Sequence, residues 1–342
     1  MSADRDPSWH AGVPPPRRHS RLADRLFSGW SAVIGFGLIL LLLALLLELT
    51  AGGWRTFSRF GFGFLIGRNW NPVRGRESFG ALPFVFGTLV TSALAVLLAV
   101  PVAVGLALLL NEVRGAIRNP LASFVDLLAA IPSVVYGLWG LFVLKPMFDR
   151  HLEPFLTSTI GKVPIVGALF QGNPNGPDLF TAGVILAIMI VPIVTAVSRE
   201  VIAVVPRDLR EAALAVGATR YETIRMAVLP YARSGIVGAT MLGLGRALGE
   251  TIAVSMVVGN RPQVGTSLFQ AGATIPSWIA SSFREATSVG LHRSALLALA
   301  VVLVGVALLL AFLSRLFVSR TERLVAGQGA GGAVETEMLK VT

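Results

Sequence analysis

The chain has 342 residues, of which 54% are hydrophobic and only 14% are charged, and its mean hydropathy is +0.72. A soluble domain carries about 25% charged residues, so the composition excludes a chain whose whole surface faces water and favours one that lies in lipid. Cysteine is absent, which excludes disulfides, thiolate metal sites and a cysteine nucleophile. The net charge of +10 comes from arginines that cluster beside apolar segments, where they are typical of topology anchors and do not indicate nucleic-acid binding.

Six segments are long and apolar enough to cross a bilayer core, which requires about 20 helical residues. They predict an all-α membrane protein with six transmembrane helices, in the ranges 30–49, 78–111, 127–144, 179–198, 231–259 and 294–314. Pro101, Pro132 and Pro192 lie inside three of these segments, where we expect them to kink the helices and not to end them.

The sequence divides into five regions: a cytoplasmic N-tail (1–29), a first transmembrane helix (30–50), an external loop (51–78), a core with the other spans (79–318) and a cytoplasmic C-tail (319–342). The first apolar segment is longer than that of a signal peptide and precedes a poor cleavage site, so we expect it to remain uncleaved. Lys and Arg are more numerous in the segments that this arrangement places inside, which is the sign expected when both termini are cytoplasmic. The stretch 55–76 is basic for an external loop, and the sequence assigns no role to it.

The longest charged stretch between spans, residues 199–230, predicts a pair of helices outside the bilayer. One face of the first helix is apolar, through Leu209, Ala212, Ala213 and Val216. Gly217 is well placed as its C-terminal cap. Thr219 and Glu222 have the T-x-x-E spacing of a capping box that starts a second helix, which we expect Leu229-Pro230 to end before the next span.

The same stretch resembles the coupling loop of ABC importer permeases, whose motif is E-A-A-x-x-x-G with a later Leu-Pro-like ending. The residues that carry the resemblance are Glu211, Ala212, Ala213, Gly217, Leu229 and Pro230. In that family the loop docks into a groove of a cytoplasmic ATPase, so the resemblance implies that these residues couple the chain to an ATPase and that the loop is cytoplasmic. The alternative is an amphipathic connector that lies on lipid headgroups.

Three longer stretches, 79–112, 129–144 and 229–260, resemble the PstC family of phosphate permeases. The resemblance implies a type I ABC importer permease that moves inorganic phosphate into the cytoplasm by alternating access. The implied partners are a second homologous permease subunit (PstA-like), an ATPase dimer (PstB-like), an extracytoplasmic phosphate-binding protein (PstS-like) and the bilayer of a bacterial plasma membrane.

We expect the chain itself to be a transport subunit and not an enzyme. It has no G-x-x-x-x-G-K-[ST] loop to cradle nucleotide phosphates. By the same resemblance ATP and Mg²⁺ belong to the partner ATPase, so we expect no cofactor bound by this chain.

Arg246 and Glu250 lie inside the fifth predicted span, where a central charge costs about 2.5–3.5 kcal/mol. On a continuous helix this i, i+4 pair can form an ion pair. The two residues share a face with the small residues Gly243, Gly249 and Ala253, so we expect both to point into the bundle. One interpretation is a structural salt bridge that fixes the helix register.

The other interpretation of this pair is a phosphate pathway. In it the Arg246 guanidinium attracts the anion, and Glu250 weakens the binding enough for release. The resemblance to the PstC family implies that the pair is critical for transport.

Three other functions remain as alternatives. The same machine could carry another oxyanion such as sulfate, molybdate or phosphonate. An ion-coupled secondary carrier would leave residues 211–230 unexplained and usually has more spans and inverted repeats. A membrane enzyme acting on lipids would need convergent His, Asp or Ser groups near one interface, and the sequence offers none.

Overall fold

The computed structural model describes residues 21–113, 115–172, 176–286 and 290–338, without the side chains of 21–25 and 317–338. The outer parts of the two predicted tails, residues 1–20 and 339–342, lie outside the described residues. The chain divides into two compact units, residues 1–51 and residues 52–342.

Helices dominate the described residues. The α-helices are α1 (Arg21–Phe60), α2 (Gly63–Ile66), α3 (Leu82–Glu112), α4 (Arg118–Ala130), α5 (Ser133–Trp139), α6 (Lys145–Met147), α7 (Glu153–Ser158), α8 (Leu179–Ala203), α9 (Arg207–Ala215), α10 (Arg220–Thr223), α11 (Leu229–Gly249), α12 (Ile252–Val257), α13 (Ile275–Ser282) and α14 (Leu291–Met338). The π-helical segments are Gly140–Leu144, Phe148–Leu152 and Ile224–Val228, and the 3₁₀ segments are Ile160–Lys162 and Val166–Phe170. Strands β1 (Trp70–Asn71) and β2 (Ser78–Phe79) pair antiparallel, so the all-α prediction missed a short hairpin.

Four helical segments within the described residues are long and apolar enough to cross a membrane: Leu26–Phe60, Leu82–Glu112, Leu179–Ala203 and Leu291–Leu316. A fifth is present if the bent pair Arg118–Ala130 and Ser133–Lys162 forms one span. α11 has 21 residues, which is about 31 Å of helix, but its arginines and glycines make it less apolar. The predicted set of six spans is therefore reproduced only in part.

Two helices extend beyond their predicted ends. In the first unit the large apolar side chains of α1 are exposed, as lipid contact requires. The helix continues to Phe60, so residues 51–60, predicted as external loop, are helical. α14 continues to Met338, and most of the predicted C-tail therefore has a helical backbone.

The core of the second unit rests on the contact between α3 and α8. On α3 the fully buried alanines recur every four residues, at Ala95, Ala99, Ala103 and Ala107. Small residues at this spacing allow helices to approach closely in lipid, where van der Waals packing replaces the hydrophobic effect. Pro101 and Pro192 do not end these two helices, which agrees with the prediction.

Pro132, in contrast, lies at a helix break, where α4 and the helical run Ser133–Lys162 meet at an angle of 88°. The predicted continuous helix is wrong here because the residue before a proline is pushed out of the α region, and Ile131 is extended (φ −64°, ψ 128°). The Tyr136 hydroxyl donates a hydrogen bond of 2.9 Å to the carbonyl of Leu128. This bond helps to satisfy the carbonyl groups at the broken end of α4.

A second break interrupts the fifth predicted span (231–259), so the continuous helix predicted there is also wrong. α11 ends at Gly249, and Glu250 is extended (φ −69°, ψ 124°) before α12 starts. α12 then packs on α5, and a Cβ added to Gly137 would lie 2.9 Å from the Cα of Ala253. The short helices that follow the two breaks thus pack backbone to backbone, which shields irregular chain from lipid.

A buried ion cluster joins the segment after α5 to the start of α8. Lys145 Nζ lies 2.6 Å from Glu153 Oε1 and 2.7 Å from Asp149 Oδ1, and it also contacts the Asp178 carboxylate. Asp178 caps α8 by accepting a hydrogen bond of 2.7 Å from the Thr181 N–H. Because the side chains of Lys145, Glu153 and Asp178 are at most 4% exposed, one ammonium group stabilises carboxylates that have almost no water around them.

We expect Lys145→Met to destabilise the fold by about 3–5 kcal/mol, because it leaves buried carboxylates without their cation. The measurement is thermal unfolding of the detergent-solubilised chain, followed by tryptophan fluorescence. Lys162→Met is the matched control, since Lys162 is exposed. Equal unfolding midpoints for the two variants would contradict the role given to Lys145.

Candidate functional site

The break after α11 brings the predicted pair together in an arrangement that the sequence did not predict. Arg246 lies in the last turn of α11, and its Nη2 is 3.5 Å from Glu250 Oε2. The other oxygen of the same carboxylate, Oε1, accepts a hydrogen bond of 3.3 Å from the Ala253 N–H. Across the break, the Thr251 hydroxyl donates to the carbonyl of Gly249 at 3.2 Å. Glu250 therefore joins Arg246 to the start of α12. It does not continue α11 as part of one long helix.

The two charged side chains differ in exposure. The Glu250 side chain is 4% exposed, whereas that of Arg246 is 46% exposed. The expectation that both point into the bundle of this chain is therefore wrong for Arg246.

The glycines of α11 lie on two faces of the helix, and only one of these faces packs against α8. Gly235 and Gly243 pack on α8, where an added Cβ would lie 2.4 Å from a methyl carbon of Val201 and 2.6 Å from one of Val194 respectively. On the other face, an added Cβ would meet no described atom within 4 Å at any of three positions, Gly238, Gly245 and Gly249. Arg246 lies at the edge of this open face.

The coupling-loop residues form an exposed helix and turn. α9 has no buried residue, and its apolar face is open, with Leu209 41% and Val216 81% exposed. Glu211 and Ala212 are exposed and Ala213 is half-buried on the same helix.

Gly217 ends α9 in the predicted manner. It has φ +89°, its N–H donates to Leu214 O at 3.0 Å, and the Ala218 N–H donates to Ala213 O at 3.2 Å. These two bonds are those of a Schellman motif, whose left-handed residue is usually glycine.

The predicted capping box of the second helix is also present. Glu222 Oε2 accepts hydrogen bonds from the Thr219 N–H (2.8 Å) and hydroxyl (2.7 Å), while the Glu222 N–H donates to the hydroxyl oxygen at 3.3 Å. The Thr219 backbone bond, with help from the hydroxyl, holds the pKa of Glu222 below its usual value. The cap is therefore complete at neutral pH and is lost as the pH falls through that lowered pKa.

Leu229-Pro230 does not end the second helix, so that prediction is wrong. α10, the π segment Ile224–Val228 and α11 form one helical run. Pro230 is tolerated because it lies in the first turn of α11, and the preceding π turn bonds the Leu229 N–H to Ile224 O.

Contacts that the sequence could not indicate fix α9 against the rest of the second unit. Arg210 Nη1 lies 2.7 Å from Glu112 Oε1 at the end of α3. Asn111 Nδ2 donates to the carbonyl of Arg199 on α8 at 3.1 Å. These partners are 98 and 88 residues apart, so a single sequence carries no signal for them. The first contact connects α9 to the end of α3, and the second connects α3 to α8. Arg210 Nη2 also donates to the carbonyl of Ile202 on α8 at 3.5 Å.

Comparison with known proteins places these features in a family. Residues 99–323 match the family described as "Binding-protein-dependent transport system inner membrane component". The phosphate transport system permease protein PstC of Pasteurella multocida is 43% identical over 308 residues, which are 90% of this chain and 95% of that protein. Its counterpart from Mesorhizobium japonicum is 42% identical over 306 residues, 89% of this chain and 93% of that protein.

Among solved structures, one chain of a bacterial alginate ABC transporter, in complex with a periplasmic protein bound to alginate pentasaccharide, matches with a TM-score of 0.56. It is 20% identical and covers 89% of this chain and 98% of that chain, which is evidence for the fold alone. The fold and the family match define an inner membrane component of a binding-protein-dependent transport system. Within that class, the chain belongs to the PstC family of permeases.

We expect Gly217→Val to loosen the turn after α9, because a β-branched residue is strained at positive φ by about 1–2 kcal/mol. An added Cβ would meet no atom of the described residues within 4 Å, so the effect comes from backbone strain and not from a clash. Hydrogen–deuterium exchange of the peptide 207–223 should become about tenfold faster. Gly217→Asn is the control, since Asn adopts this conformation readily, and equal exchange in the two variants would contradict the explanation.

Proposed function

We propose that this chain is the transmembrane permease subunit of an ATP-driven importer of inorganic phosphate. The names of its relatives support phosphate as the substrate. The observation that carries the proposal is the Arg246–Glu250 pair at a helix break, with the guanidinium half exposed at the edge of the face that this chain leaves open.

Irregular backbone at membrane depth is tolerated where it is buried or lines a water-filled cavity. An exposed arginine in the same place costs about 2.5–3.5 kcal/mol unless water or an anion reaches it. Arg246 then attracts phosphate, while the buried Glu250 carboxylate holds the guanidinium in place and limits how tightly the anion binds.

A purely structural role for the Arg246–Glu250 pair does not explain why a charge is kept in the membrane. A half-exposed ion pair contributes about 0–1 kcal/mol to stability, which does not offset the cost of a charge in the membrane.

The open face of α11 suits a second permease subunit. Gly238, Gly245 and Gly249 allow the close approach of another helix in lipid. We propose that this neighbour is the homologous, PstA-like subunit and that the phosphate path runs between the two chains, past Arg246.

The exposed apolar face of α9 suits a cytoplasmic ATPase. Glu211 can pair with a basic residue of that partner, while Leu209 and Val216 supply apolar contact. We propose that a PstB-like ATPase dimer, which holds ATP and Mg²⁺, docks here. Arg210 then transmits its closure to α3 through Glu112, and a PstS-like binding protein delivers phosphate on the opposite side.

The proposed docking of an ATPase on α9 implies an orientation of the chain in the membrane. If α9 contacts an ATPase and the chain crosses the membrane six times, both termini are cytoplasmic. The two spans beyond the four long apolar helices are then the broken ones, α4 with residues 133–162 and α11 with α12.

The test of function is uptake of ³²P-phosphate by membrane vesicles that contain the whole importer. Arg246→Gln should abolish uptake with little loss of protein, because its amide can still donate to Glu250. Arg246→Lys keeps the cation and should retain part of the activity. Glu250→Gln keeps an acceptor for the Ala253 N–H and should lower uptake by removing the charge alone.

Competition distinguishes phosphate from other oxyanions. Unlabelled phosphate should suppress the uptake, and equal excesses of sulfate or molybdate should not. Near wild-type uptake by Arg246→Gln would refute the pathway, and uptake that follows sulfate or molybdate would refute phosphate as the substrate.

Reporter fusions test the orientation. A fusion after Asp208, in the first turn of α9, should behave as cytoplasmic because this helix faces the ATPase. A fusion at Gly172, before α8, should behave as external. The reverse pattern would exclude the six-span arrangement with cytoplasmic termini.

A further inference from the structure

The segment after α12 forms a loop that is closed at its base. The Gly272 N–H donates to Val258 O at 2.8 Å, and the Arg261 N–H donates to Gly272 O at 2.9 Å. The chain turns there through Gly259 (φ +87°) and Asn260 (φ +47°), two residue types that adopt positive φ. Arg261 is therefore held at a defined position, a short distance along the chain from Glu250.

Beside this loop lies a cavity of about 450 Å³, whose wall includes Arg261, Ser267 and Gln270. No Asp or Glu contributes to its lining among the described residues. The Arg261 side chain is exposed, so its guanidinium can reach a dissolved ion. An anion is the ligand that such a wall of donors favours.

Ser267 adds a neutral donor to the wall of the cavity. Ser267 Oγ already accepts a hydrogen bond from the Phe269 N–H at 3.0 Å, which leaves its hydroxyl proton for a ligand. Gln270 lines the cavity with its other atoms, because its Nε2 is enclosed by the protein and out of reach of a ligand there.

We propose that this cavity binds inorganic phosphate on the external side, before the anion reaches Arg246. Arg261 supplies the charge, and the Ser267 hydroxyl supplies a neutral hydrogen bond to a phosphate oxygen. The inference rests on the proposed function, because the external location and the choice of phosphate come from it. A cavity wider than one phosphate and lined by a single cation suits brief capture and release.

The absence of cysteine allows a direct test. Ser267→Cys introduces the only thiol of the chain, and its rate of alkylation in the assembled importer is read by mass spectrometry of this chain. Inorganic phosphate should slow the alkylation. Adding Arg261→Gln should raise the phosphate concentration for half-protection about tenfold, the factor expected for a hydrogen bond to a charged group.

Arg284→Gln is the matched control, since it removes an exposed arginine of the same external region that does not line the cavity. Protection should persist in that background. Absence of protection by phosphate, or equal protection with and without Arg261, would overturn the proposal. Protection by the phosphate-free binding protein alone would overturn it too, because the cavity would then be a protein docking surface.

An uptake assay with the wild-type importer distinguishes a failure of the cavity proposal from a failure of the proposed transport function. Uptake without protection of the cysteine refutes the cavity and leaves the transport function intact. Absence of phosphate uptake by the wild type refutes the function itself.

Discussion

Every backbone N–H and C=O group of this chain that lies in lipid must find a partner within the protein, and the architecture depends on how that requirement is met. Continuous helices such as α3 and α8 meet most of it within themselves, although Pro101 and Pro192 each lack the N–H that would bond the carbonyl four residues earlier. The chain nevertheless breaks twice in apolar segments, at Ile131–Pro132 and at Glu250–Thr251. Both breaks are accompanied by side-chain hydrogen bonds, from Tyr136 to the carbonyl of Leu128 and from the Ala253 N–H to Glu250.

At the second break, one carboxylate connects the backbone to the arginine proposed to attract phosphate. Glu250 uses Oε1 to start α12 and Oε2 to contact Arg246. Its rotamer is therefore set by the backbone, and the guanidinium is held at the edge of the open face of α11. A pair on an uninterrupted helix would lack this second anchor and would leave both side chains freer to turn.

Sequence reasoning succeeded where the interactions are local. The Schellman turn at Gly217 and the capping box of Thr219 and Glu222 involve residues within five positions of each other, and their pattern was readable. The pair of Arg246 and Glu250 was found for the same reason, although its setting was not.

The features that the sequence did not predict share a different cause, which is their dependence on distant parts of the chain. Whether Pro132 kinks or breaks a helix depends on what packs against the bend, and here α12 covers α5. Pro230 was expected to end a helix, yet a π turn absorbs it. Lys145 and Asp178 are separated by 33 residues, and Arg210 and Glu112 by 98. Such contacts exist only once the fold is formed. A single sequence therefore shows which charged residues are present but not which of them contact each other.

The distribution of continuous and broken helices also suits an alternating-access cycle. The alanines of α3 pack directly on α8, and small, closely packed residues leave little freedom for these helices to slide. α9 is attached to the ends of both, because Arg210 pairs with Glu112 of α3 and donates a hydrogen bond of 3.5 Å to the carbonyl of Ile202 on α8. The Asn111–Arg199 bond ties these two ends to each other. A displacement of α9 by the proposed ATPase would therefore move α3 and α8 as one body. We expect the helix breaks to absorb the strain of such a movement, because few backbone bonds resist bending there, and Arg246 lies in the helical turn before one of them. The charge proposed to attract phosphate would then lie beside a part of the chain that bends in the proposed cycle.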